Sequence, residues 1–257
     1  MTTRTTPAGD IDYETTGVGY ESQRRADPRI AARISAALGD TRSVLNVGAG
    51  GGSYEPTDRY VLAVEPSAAM RARRPQGAVP AIDAVAAALP FDDRSIDAAM
   101  AIFTVHQWPD YAAGLQELRR VTRGPIVLMT IDGDRLSDFW LGAYLPTRLE
   151  IEQRRFPAID DLRAALGGSS RVEPVPIPLD CTDGFVEAFY GRPEALLDPA
   201  VRRAQSAWEL LSSDVIDTGL ARLADDLASG AWDERWGPLR TQPSYVGPLC
   251  LVVATPD

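Results

Sequence analysis

The sequence predicts an α/β fold built on a mostly parallel sheet, and three observations carry that expectation. Two apolar runs rich in Val and Leu, Val44–Val47 and Val61–Val64, end respectively on a glycine turn and on an acid, as neighbouring parallel strands do. The stretch IDAAMAIFTV, residues 96–105, is apolar throughout and suits a strand covered on both faces. The chain has 257 residues, 45% hydrophobic and 24% charged, which fits one α/β domain carrying an elaboration.

The elements follow in order. Residues 1–10 are small and polar without periodicity, so no regular structure is expected there. Ile30, Ile34 and Leu38 recur at helical spacing, with Asp27 as N-cap, Pro28 at the first helical position and Gly39 as the stop. After the two strands, PSAAMRARR (66–74) reads as a helix capped by Ser67, and AVPAI (78–82) as a short third strand. An amphipathic helix over 111–120 turns Leu115 and Leu118 inward and precedes a fifth strand, IVLMTID, closed by Asp132. A helix at 159–166 and a strand RVEPVPIPLD (171–180) supply the sixth strand, and GPLCLVVA (247–254) the last.

The chemistry concentrates at the first glycine turn. Gly48, Gly50 and Gly52 remove side chains where the backbone must turn sharply and let a ligand approach the peptide groups. Glu65, about 17 residues beyond Gly48, is placed to accept hydrogen bonds from a ribose diol. The spacing is GxGxG and not the GxGxxG of dinucleotide folds, which disfavours NAD. No GxxxxGK[ST] occurs and the chain holds no lysine, so a P-loop is excluded; GxSxG is absent, which disfavours a serine hydrolase.

Residues 44–67 resemble motif I of class I S-adenosylmethionine (SAM) dependent methyltransferases, and residues 86–132 extend the likeness. There Leu89-Pro90-Phe91, Ser95-Ile96-Asp97, His106-Gln107-Trp108 and Glu117-Leu118-Arg119-Arg120-Val121 are similar to the corresponding motifs of the ubiquinone/menaquinone-biosynthesis methyltransferases. The resemblance covers about residues 40–132 and speaks to the cofactor fold, not to the substrate. It implies a Rossmann-like, seven-stranded, mostly parallel sheet with helices on both faces. It also implies SAM as cofactor and S-adenosylhomocysteine as product. The residues it places at the cofactor are Asn46, Gly48, Ala49, Gly50, Glu65, Pro66, Met70, Val85, Ala86, Phe103 and Thr104, with Tyr20 from an N-terminal segment that closes the site. Tyr13 and Arg24 are further candidates in that segment, and for each of the three the preferred reading is aromatic packing or a solvated arginine.

Two positions depart from the family. Asn46 stands where an acid is usual, keeping donor and acceptor but not charge. Val85 stands where an Asp contacts the adenine amino group, so base recognition falls to the backbone near Val85 and Ala86, or to Asp83 reaching in. His106, the one histidine of the chain, reads either as a hydrogen-bonded residue shaping its loop or as a general base suited to neutral pH.

Two inserted stretches lie outside the resemblance. Residues 136–158 gather Phe139, Trp140 and Tyr144 into a lid segment, and about 65 residues, 181–245, carry helical patterns at 199–211 and 215–227 with Phe185, Phe189, Tyr190, Trp208, Trp232 and Trp236. They are expected to form a helical cap with an apolar, aromatic substrate pocket, most of its rings making the cap's own core. The resulting division is a closing segment 1–26, a SAM-binding core 27–135, the lid 136–158, the remainder of the sheet at 159–180 and 246–257, and the cap 181–245.

A formal net charge of −10 repels phosphate polymers, so neither nucleic acid nor an anionic membrane is an expected partner. No apolar run approaches a membrane span and the N-terminus is polar, which points to a cytoplasmic protein, monomer or homodimer. Cys181 and Cys250 lack ligand spacing and read as free thiols; no metal site is expected. Methyl transfer to a small, partly apolar metabolite at oxygen, nitrogen or carbon is the reading these features favour. A methyltransferase-like cyclase or isomerase using SAM structurally, or a non-catalytic SAM-binding protein, stays open on Asn46 and Val85.

Overall fold

The computed structural model describes residues 23–255. Tyr13 and Tyr20 lie outside the described residues. The first described helix, α1 (Pro28–Leu38), is built as its sequence dictates. The Asp27 carboxylate accepts from the Arg29 amide, Pro28 opens the helix, and Gly39 ends it at φ 65° while Ile30, Ile34 and Leu38 are buried.

The sheet contains seven strands: β1 (Ser43–Val47), β2 (Tyr60–Val64), β3 (Ala81–Ile82), β4 (Ala98–Ile102), β5 (Ile126–Ile131), β6 (Ser169–Pro174) and, after a separate pair β7 (Ile177–Pro178) and β8 (Ser244–Tyr245), β9 (Leu249–Thr255). Their order is β3-β2-β1-β4-β5-β9-β6. The first five are mutually parallel, and β9 runs antiparallel between β5 and β6. The strand expected over 171–180 therefore splits: β6 completes the main sheet, and β7 leaves it to pair with β8 at the base of the inserted region.

Alternation along β1 divides two layers. Leu45 and Val47 point to a core shared with Ala99, Ala101 and Leu128, closed by α3 (Tyr111–Val121) and α5 (Ile159–Leu166), while α2 (Ala68–Ala72) follows β2. Val44 points the other way, into a core that runs from α1 through Met100, Val127 and Met129 to Trp140, Tyr190 and Trp232. That second core passes through Leu145 and Phe156, which flank α4 (Pro146–Arg155), and reaches the inserted helices α6 (Pro199–Arg203), α7 (Ser213–Ser229) and α8 (Ala231–Trp236). The helix expected over 199–211 stops at Arg203, and a 3₁₀ turn (Ser206–Leu210) follows because Gln205 and Trp208 turn inward to meet Arg148.

Most inserted aromatics serve this core. Trp140 and Trp232 meet edge-on with centroids 5.6 Å apart, and the Trp140 indole Nε1 donates to the Tyr190 carbonyl at 2.9 Å. Cys181 and Cys250 are free and buried, and burial pushes both thiols up to about 12. No helix among the described residues is long and apolar enough to cross a membrane.

Candidate cofactor site and acceptor pocket

The carboxyl ends of β1, β2 and β4 converge on the glycine turn. Gly48 (φ 69°) packs so tightly on Thr104, just beyond β4, that a Cβ would lie 2.0 Å from the threonine Oγ1. The Thr104 hydroxyl in turn accepts from the Trp108 indole at 3.2 Å. Gly50 (φ 50°) faces Met70, whose Cε would be 3.2 Å from an added Cβ. The amides of Gly48 and Ala49 both donate to the Val64 carbonyl, at 2.9 and 3.0 Å, which draws the turn over the end of β2.

Glu65 is fixed beneath that turn. One carboxylate oxygen accepts from the Gly50 amide at 2.8 Å and the other from the Ser67 amide at 2.9 Å. Burial raises its pKa, opposed by those amides and by Arg71 and Arg74. Each oxygen retains a lone pair for a ribose hydroxyl. Met70, on α2, is buried against the turn, and Pro66 offers its carbonyl to Arg71.

Residues 48–59, which join β1 to β2, form no helix. Dinucleotide folds place a pyrophosphate on the helix N-terminus that follows the glycine turn. This turn offers no such anion site, an argument against NAD independent of glycine spacing. The crossover carries Tyr54 and Glu55 instead, neither of which the sequence singled out. Glu55 accepts from the Asn46 side-chain amide at 3.0 Å and is held by Arg74 at 2.7 Å. The Asn46 amide is thereby oriented, and its Oδ1 is left buried without a partner. An orphaned acceptor beside a glycine cradle fits a ligand that brings its own N–H or O–H donors.

Of the adenine candidates, Ala86 is buried and Val85 partly buried in the turn after β3. Asp83 does not reach in: it is exposed and pairs with Arg71 at 3.2 Å.

Arg24 sits at the mouth. Its guanidinium lies 5.3 Å from the Phe103 ring centroid and pairs with buried Asp183. A cleft of about 310 Å³ opens between Arg24, Arg25 and Ala26 on one side and Gly51, Gly52 and Met70 on the other. Phe103 takes the left-handed conformation (φ 51°), a strained geometry that aims its ring away from the strand and onto Phe185, 5.3 Å distant.

His106 follows in a 3₁₀ turn (Val105–Gln107), its ring 4.4 Å from that of Phe156. Desolvation, with the positive charges of Arg155 and Arg24, pushes its pKa down to about 3. An imidazole so shifted is uncharged at neutrality and lies outside the neutral range that the general-base reading expects. Behind it lies a charged interior that no sequence pattern disclosed. Arg148 is fully buried, with both terminal nitrogens on Glu152 at 2.7 and 3.1 Å and its guanidinium 5.3 Å from the Trp208 ring centroid. Glu187 is buried nearby, and burial, reinforced by the charge of Glu152, pushes it up to about 8.

Comparison with known proteins agrees with this geometry. Residues 45–125 match the model of a methyltransferase domain. The fold aligns with the crystal structure of a protein assigned as a methyltransferase of an antibiotic biosynthesis pathway of Anabaena variabilis, at 28% identity and a TM-score of 0.84 over 91% of this chain and 99% of that one. A SAM-dependent methyltransferase of Thermotoga maritima aligns at 16% identity and a TM-score of 0.54, covering 93% and 92% of the two chains. A plantazolicin methyltransferase solved with a substrate analogue and S-adenosylhomocysteine aligns at 12% identity and a TM-score of 0.50, covering 92% and 88%. No protein of curated function matches the sequence. The chain thus has the class I methyltransferase fold.

Proposed function

We propose that this chain, which carries a class I methyltransferase domain with SAM as its cofactor, transfers the methyl group to a small, partly apolar metabolite. The observation that carries the reading is the joint placement of Gly48 against Thr104 and of Glu65 against the Gly50 amide, a nucleoside cradle at the carboxyl ends of β1, β2 and β4. Glu65 would take the ribose, Gly48, Ala49, Gly50 and Asn46 the methionyl end, and Met70, Pro66 and the 85–86 backbone the adenine. Tyr20 and the segment before residue 27 would close over them. When bound, SAM supplies an electrophilic methyl carbon on its sulfonium.

The remaining work is positioning, which contributes a large share of the rate in such transfers. Phe103, Phe156 and Phe185 give the acceptor an aromatic surface beside the strand ends. Uncharged His106 accepts a hydrogen bond from the acceptor's nucleophilic group and orients it. The inserted region 181–245 serves as the substrate cap, and the protein functions as a monomer or homodimer. Parallel calorimetric titrations with SAM, S-adenosylhomocysteine and NADH test the cofactor assignment. Micromolar binding of the first two, about −8 kcal/mol, with none of NADH is expected, and NADH binding alone would overturn it.

A further inference from the structure

We infer that Glu187 anchors a protonated amine on the acceptor molecule, so that the substrate class is an amine with an apolar or aromatic body. This rests on the methyl-transfer reading above. Glu187 is 2% exposed, in a 3₁₀ turn (Val186–Phe189) that follows Phe185, the ring seated on Phe103 at the cofactor site.

The charges around it are already matched. Arg148 gives both terminal nitrogens to Glu152, and Arg24 pairs with Asp183. Those two pairs are neutral, and Glu187 makes no ion pair of its own among the described residues. One buried carboxylate is left over. A buried charge is stable only when paired or neutralised. Without ligand, a proton neutralises Glu187; a ligand cation can take that proton's place.

The surroundings select which cation. Phe185 and Phe189 flank Glu187 in and beside its turn, and Tyr245 stands close enough that Glu187 raises its pKa, stacked on Tyr190 at 5.2 Å. Ring faces with one carboxylate recognise an organic ammonium, whereas a small hydrated metal ion would need several oxygen ligands.

The test uses the full chain saturated with S-adenosylhomocysteine. It compares thermal unfolding with millimolar benzylamine, phenethylamine and tryptamine against benzyl alcohol, 2-phenylethanol and tryptophol. At least one amine is expected to raise the midpoint by a few degrees, as a ligand of the native state does, its alcohol to leave it unmoved, and Glu187→Gln to abolish the shift. Glu187→Asp, which keeps the charge on a shorter arm, is expected to retain less than half of it and decides the matter should the Gln variant not fold. If no amine outperforms its alcohol, or the shift persists in Glu187→Gln or is undiminished in Glu187→Asp, the inference is overturned. S-adenosylhomocysteine affinity within twofold of wild type in these variants separates that failure from failure of the methyl-transfer reading, which loss of nucleoside binding by the wild-type chain would signal.

Discussion

The Tyr54 hydroxyl, in the crossover between β1 and β2, donates to the Asp183 carboxylate at 2.9 Å across 129 positions of sequence. The same hydroxyl accepts from the Asp27 amide at 3.3 Å, and the same carboxylate receives Arg24. Glycine turn, N-terminal segment and inserted region are thus joined at one buried point.

Removing that hydroxyl tests the junction. Tyr54→Phe leaves the Asp27 amide without its acceptor and Asp183 with one donor fewer, so a loss of about 1–3 kcal/mol is expected. Urea unfolding with an unchanged slope measures it, and wild-type stability would show the junction to be dispensable.

The two glycines of the turn are expected to fail differently. Gly48→Ala drives its methyl into Thr104 from a left-handed backbone and should destabilise the fold as well as the site. Gly50→Val also strains a left-handed backbone but meets only the mobile end of Met70, so the protein should fold with some loss of stability yet bind neither SAM nor S-adenosylhomocysteine. Circular dichroism with calorimetry separates the two, and cofactor binding by Gly50→Val would reduce the turn to a mere turn.

Glu65→Ala removes a carboxylate placed for a ribose diol. Its affinity for both cofactor forms should fall by about 1–3 kcal/mol, the range of a charge-assisted hydrogen bond. Equal affinity in wild type and variant takes Glu65 out of the site.

The acidity of His106 shapes the rate profile. With its pKa near 3 the imidazole stays uncharged from pH 5 to 8, so no limb of kcat in that window belongs to it. His106→Gln should lower the rate while keeping the profile's shape. A limb near pH 6.5 that vanishes in this variant would restore the general-base role.

Glu187 has the opposite signature. Its folded pKa, about 8, exceeds the ordinary carboxylate value of 4.5, so above that value the unfolded chain sheds a proton the native chain keeps. The group therefore costs stability progressively as pH rises from about 4.5 to 8. Arg148, Glu152, Arg24 and Tyr245 surround it, and none of them is altered in Glu187→Gln. That variant should gain on wild type in urea unfolding between pH 5 and pH 8, and parallel curves would refute the shift.

Much of the cofactor cradle was legible because it is local: the glycines, Glu65 and Met70 lie within 23 positions and announce themselves by spacing. The capped helix α1 was equally readable from Asp27, Pro28 and Gly39. What escaped depends on distant chain. Asp183 meets Tyr54, and Gln205 meets Arg148, only after the inserted region folds back. Glu187 carries the same letter as any solvated glutamate, and only burial gives it chemistry. The third strand shrank to Ala81–Ile82 because β3 pairs with β2 at just two residues before the chain turns away.

The antiparallel insertion of β9 governs the order in which the molecule can assemble. Ile126 on β5 pairs with Ala254, and Ser170 on β6 pairs with that same Ala254, so β6 and the second edge of β5 stay unpaired until the chain has run far past both. On a ribosome the five parallel strands are available by residue 131, yet the apolar edge of β5 stays open while more than a hundred further residues emerge. Loops of that length close slowly, and an open strand edge is where chains aggregate. Folding yield, more than native-state stability, is where substitutions in Leu249–Thr255 should be felt.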